Sequence, residues 1–104
     1  MNRTKKKALN VLKKWVEVMN KDLAEVLDKP IKVEDFVAGW VLEDDSAPMR
    51  INNESEYGEI LYSYYSEDYE RYEFGVDVDF VAMLEEKGLY PSNVNAAEFE
   101  VYAN

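Results

Sequence analysis

Glu54 to Phe80 reads ESEYGEILYSYYSEDYERYEFGVDVDF, and the fold class turns on this stretch. A helix here would gather Tyr57, Ile60, Leu61, Tyr64 and Tyr65 on one face and make the chain mostly α. The alternative is a hairpin, in which Glu59 to Tyr65 and Tyr69 to Val76 are tyrosine-rich strands joined by Ser66-Glu67-Asp68. The hairpin fits better because its second strand alternates with period two. Tyr72, Phe74 and Val76 face a core while Arg71, Glu73 and Asp77 face water.

The same stretch carries the strongest functional signal. It holds six of the eight tyrosines and nine carboxylates against one cation, Arg71. On a strand, same-face carboxylates two residues apart repeat every ~7 Å, close to the spacing of successive phosphates along a nucleic-acid strand.

The flanking sequence reads as a scaffold. Arg3 to Asp28 is an amphipathic helix: Ala8, Leu12, Trp15, Met19, Leu23 and Val26 recur at helical spacing, opposite Lys13, Lys14, Glu17, Asn20, Lys21 and Glu25. Pro30 disfavours helical geometry in the residue before it and ends the element near Lys29. Lys5, Lys6 and Lys7 lie at the helix start, where the dipole disfavours cations, and are expected to be frayed and solvated.

Val33 to Glu43 has the pattern of a second, short helix, with Phe36, Val37, Trp40 and Val41 on one side, and Gly39 with the β-branched valines leaves a strand as the alternative. Met49 to Asn52 is a short strand. Asp79 is placed to cap a helix that carries Phe80, Met83 and Leu84 and stops at Gly88. Pro91 with Ser92-Asn93 marks a turn, and Ala97 to Ala103 alternates as a half-buried strand. The fold class expected is therefore α+β. One acidic domain over residues 1–104 packs a long N-terminal helix and one or two short helices on a small antiparallel sheet.

Composition narrows the chemistry. There is no histidine and no cysteine, so the commonest general base, the commonest metal ligand and every thiolate are missing. Asp77 and Asp79 form a D-x-D pair that could hold Mg²⁺, but a surface acid and a helix cap explain them better. The acids Asp44, Asp45 and Glu54 with Asn52 and Asn53 do not have EF-hand spacing. No enzyme activity and no cofactor are expected. No apolar run is long enough to span a bilayer, and the expected location is cytoplasmic.

The net charge of −10 is unevenly spread: residues 1–32 carry nine Lys/Arg and four Asp/Glu, residues 33–104 three and eighteen. An acidic solvated surface would explain the total alone. The arrangement adds to it, because tyrosines interleaved with acids are suited to arginine, the ring stacking on a guanidinium that the carboxylate hydrogen-bonds. The expected function is a non-enzymatic inhibitor that mimics DNA and blocks a protein with a basic nucleic-acid-binding groove, without itself binding nucleic acid or membrane through its acidic face. The residues expected to meet that partner are Glu54, Glu56, Glu59, Tyr64, Glu67, Asp68, Tyr69, Glu70, Glu73, Asp77 and Asp79. Two alternatives stay open: an immunity protein or antitoxin capping a basic nuclease toxin, and an oligomeric structural protein, for instance a homodimer joining basic helix starts to acidic tracts.

Residues 68–80, DYERYEFGVDVDF, resemble the antirestriction segment of the ArdA family at Asp68, Tyr69, Glu70, Phe74, Gly75, Asp77, Val78 and Asp79. The match covers about an eighth of the chain, which has Val76 where that family commonly has arginine and needs an insertion between the acidic run and the aromatic-glycine pair. The resemblance implies a DNA mimic of restriction-modification enzymes, with carboxylates standing in for phosphates.

Overall fold

A computed structural model describes residues Met1–Asn104. It begins with helix α1, Arg3–Asp22, about 30 Å long. The Asn2 side chain caps it by accepting from Lys5 N at 2.8 Å. Ala8, Val11, Leu12, Trp15, Val16 and Met19 form its buried stripe.

The helix stops at Asp22 rather than Asp28. Asn20 accounts for the early reversal: its side chain accepts from Ile31 N at 2.8 Å and donates to Ile31 O at 3.0 Å, pulling the returning chain across the last turn. Val26, expected on the apolar stripe, is consequently exposed.

The expected helix over Val33–Glu43 forms as two pieces, a 3-10 turn at Val33–Asp35 and helix α2 at Gly39–Glu43. Phe36, Val37 and Val41 are buried, whereas Trp40 is exposed. Strand β1, Met49–Asn52, forms as expected. Strands β4, Leu89–Asn93, and β5, Glu98–Ala103, complete an antiparallel sheet in the order β1-β5-β4. Pro91 therefore lies within a strand and not in a turn. An edge strand tolerates proline because one side of its backbone needs no ladder bond.

Helix α3, Val78–Glu86, packs against α1 and the sheet and ends at Gly88, whose φ of +73° suits glycine. The fold is the α+β arrangement expected: a long N-terminal helix and shorter ones packed on a small antiparallel sheet. No helix is long and apolar enough to cross a membrane.

A continuous series of rings runs through the core. Phe36 and Phe80 meet Trp15 at 5.4 and 5.9 Å, and Phe99 joins Phe80 at 6.2 Å and Tyr62 at 4.9 Å. Through Tyr62 this series reaches the acidic tract.

Candidate functional site

The hairpin in the tract is shorter than expected and turns elsewhere. Strand β2, Tyr72–Glu73, pairs antiparallel with β3, Val76–Asp77, through the two residues Phe74 and Gly75. Both have positive φ, +50° and +85°, the requirement of a type I′ hairpin turn. Glu59–Tyr65 is not a strand. It contains a 3-10 turn at Gly58–Ile60 and touches β3 through a single bridge, Tyr62 to Val76.

That bridge consists of two backbone bonds, Asp77 N to Leu61 O and Ser63 N to Gly75 O, both 2.8 Å, which hold residues 61–63 beside β3. With β2 and β3 two residues long each, the strands of the tract carry no row of carboxylates at ~7 Å intervals, and that expectation is overturned. Helix and longer strands both lose because the chain must pass close to itself. A Cβ on Gly75 would lie 3.0 Å from Tyr62 Cε1 and from Tyr64 Cα.

Most of the expected partner-binding acids are where a partner could reach them. Glu54, Glu56, Glu59, Glu67, Asp68, Glu70, Glu73 and Asp79 are all exposed. The lysines of α1 do not neutralise them. The one ion pair in the set joins Glu56 to Lys29 at 3.8 Å.

Asp77 is the exception and is a correction: it is 5% exposed. Its Oδ2 accepts from Trp15 Nε1 at 3.0 Å and from Phe80 N at 3.3 Å, so it caps α3 in place of Asp79. Asp79 sits in the first turn, where the helix dipole favours it. Burial pushes the Asp77 carboxyl above its ordinary value, opposed by the two hydrogen bonds it accepts.

Lys5 departs from expectation in the other direction. It is 1% exposed and donates from Nζ to Asp44 O. It is neither frayed nor solvated; its long stem crosses the core edge to satisfy a carbonyl of the loop after α2. The N-terminal ammonium meets Asp45 Oδ1 at 2.7 Å, closing the same corner.

The tyrosines divide sharply. Tyr62 is buried, with its hydroxyl donating to Asn95 O at 2.7 Å, and burial first, then Tyr64, pushes its pKa up to about 12. Tyr64, Tyr65, Tyr69 and Phe74 are instead 44%, 83%, 79% and 84% exposed. Phe74 was expected in the core; the φ-positive turn swings it out.

These rings line an open cleft of about 790 Å³ between the Tyr64–Tyr69 loop and the β2–β3 hairpin. Tyr72, Gly75 and Val78 contribute to its lining, as do Glu67, Glu73 and Asn93. Asn93 donates to Phe74 O at 2.8 Å and fixes the hairpin tip. Tyr72 is held by donating its hydroxyl to Glu59 O at 2.7 Å.

Four of the expected site residues, Tyr64, Glu67, Tyr69 and Glu73, are thus brought into one cleft. Glu54, Glu56, Glu59 and Asp79 lie outside it, as do Asp68 and Glu70 of the adjoining loop. Phe74 and Asn93 were missed. Gly75 was the one available hint of a turn beside Phe74, since glycine adopts the positive φ that such a turn needs, but without Asn or Asp before it the hint is weak. Comparison of the chain with protein-family models, with characterised proteins and with solved structures found no match.

Proposed function

We propose that this protein is a non-catalytic inhibitor that uses its acidic, aromatic tract to occupy the basic groove of a nucleic-acid-handling enzyme, in the manner of a DNA mimic. One observation carries the reading: eight exposed carboxylates lie on or beside the tract, and only Glu56 is engaged by a cation of the same molecule. Unpaired charge of one sign destabilises a fold through self-repulsion and gains its use from a partner of opposite sign. The resemblance of residues 68–80 to the ArdA segment points in the same direction.

Mimicry here rests on a cluster of acids around protruding rings and not on a regular phosphate-like row. Such a surface meets lysines and arginines that otherwise hold the sugar-phosphate backbone, while the rings occupy space that bases would take. Restriction and CRISPR nucleases are the class of target that such a groove describes.

The test is DNA cleavage by a panel of restriction and CRISPR nucleases with the protein titrated in. Inhibition is expected to be relieved by excess duplex DNA, to weaken with salt, and to be lost in a variant with Glu67, Asp68, Glu70 and Glu73 changed together to their amides. Inhibition unchanged by that variant, or insensitive to competing DNA, would refute the reading.

A further inference from the structure

We infer that the cleft bounded by Tyr64, Tyr65, Tyr69 and Phe74 is a receptor for an arginine side chain presented by the partner, with the guanidinium held between rings and hydrogen-bonded by Glu67 or Glu73. The inference rests on the functional reading above and names the chemistry that one part of the surface selects.

Three observations converge on it. The first is the placement of the rings. Tyr65, Tyr69 and Phe74 protrude almost fully and add nothing to the core, although burying such side chains is a main source of folding stability. Phe74 also adopts φ +50°, a conformation costly for a residue with a Cβ and comfortable for asparagine or glycine. The hairpin turn and Asn93 fix the backbone at Phe74, but nothing within the chain uses its ring, which leaves the ring to a contact outside.

The second is charge. The cleft lining includes Glu67 and Glu73 and no lysine or arginine, with Arg71 the one cation at its edge, so two carboxylates stand among the rings. A purely apolar occupant would strand those carboxylates, and an anion would be repelled. A cation that also offers a flat face matches both features.

The third is the behaviour of Arg71, the only cation in the tract. Its guanidinium carbon lies 5.6 Å from the centroid of Tyr72, a residue of the cleft lining. The one guanidinium in the tract thus lies over the ring of its neighbour Tyr72, at the edge of the cleft, and leaves Tyr64, Tyr65, Tyr69 and Phe74 without a cation. Guanidinium is favoured over ammonium because it is planar, stacks, and donates in a fork to a carboxylate.

The experiment is a titration of the full chain with a blocked peptide of alternating arginine and glycine, and with its lysine counterpart, followed by the aromatic proton resonances of Tyr65, Tyr69 and Phe74. The arginine peptide is expected to shift those resonances and to bind about fivefold to tenfold more tightly than the lysine peptide. The triple variant Tyr65→Ala, Tyr69→Ala, Phe74→Ala is expected to lose the preference with its melting temperature not lowered. Glu17→Gln, Glu25→Gln, Glu34→Gln, exposed and outside the tract, is expected to keep it.

Equal affinity for the two peptides, ring resonances that do not move, or a preference that survives the triple variant would each overturn the assignment. The single variant Tyr69→Ala serves if the triple one is damaged. Arginine preference without inhibition of any nuclease would keep the receptor and remove the mimicry, and inhibition without arginine preference would do the reverse.

Discussion

Trp15 Nε1 donates to Asp77 Oδ2 at 3.0 Å, tying the middle of α1 to the start of α3 across 62 positions of sequence. The same oxygen receives Phe80 N at 3.3 Å, so one buried carboxylate both caps a helix and satisfies the indole at the centre of the core. Asp77→Ala removes the cap and leaves the indole N–H without an acceptor. The expected loss is about 2–4 kcal/mol, read from urea denaturation. Asp77→Asn keeps an acceptor oxygen in place and is expected to stay within about 1 kcal/mol of the parent.

Acid titration separates this carboxyl from Glu100. Burial raises Asp77 above its ordinary 3.8, so between that value and the folded one the native state holds a proton that the unfolded chain releases. Its contribution to stability therefore falls as pH rises through that window and is constant above it. Glu100 has the opposite sign: Tyr102 first, and then Arg50, lower it from 4.5 by hydrogen bonds, so its contribution is present above 4.5 and is lost as pH falls through the folded value. Stability measured from pH 3 to 7 is expected to show Asp77→Asn gaining on the parent as pH rises, and Glu100→Gln losing on it.

Phe74→Asn should move stability and binding in opposite directions. Asparagine tolerates the left-handed conformation that phenylalanine holds at φ +50°, and a gain of about 0.5–1 kcal/mol is expected in denaturant unfolding. Loss of the ring is expected to weaken partner binding several-fold, about 1 kcal/mol. A variant that is both more stable and weaker in binding would set the tip apart from the structural residues around it.

Gly58→Ala tests the support behind the tract. A Cβ there would overlap the backbone of Asn53, and a main chain cannot yield as a flexible side chain would. Asn53 in turn donates to Tyr62 O at 3.0 Å and Ala96 O at 3.3 Å, so displacing it disturbs both the tract and the loop before β5. A loss of about 3 kcal/mol or more is expected in thermal unfolding, with the Tyr62 region the first to exchange its amides.

The scaffold was largely readable from the sequence because its residues announce themselves by periodicity. The apolar stripe of α1, the alternation of β5 and the Gly88 stop of α3 each follow from one-dimensional spacing. The tract was less readable, since its geometry depends on contacts the sequence does not order. Phenylalanine in a type I′ turn conceals a hairpin that Asn-Gly would have advertised. Pro91 suggests a turn unless the strand is known to lie at an edge. Two aspartates precede Phe80, and only the position of Trp15 decides that Asp77 is the buried one. Lys5 looked misplaced against the dipole because its acceptor, Asp44 O, lies 39 residues away.

The rings of Tyr65, Tyr69 and Phe74 stand clear of the interior. Exchanging any of them meets no veto from the packed layers beneath, whereas Tyr62, a few residues away, admits almost none. A chain built this way can change the chemistry of its exposed cleft one residue at a time without having to solve the folding problem again.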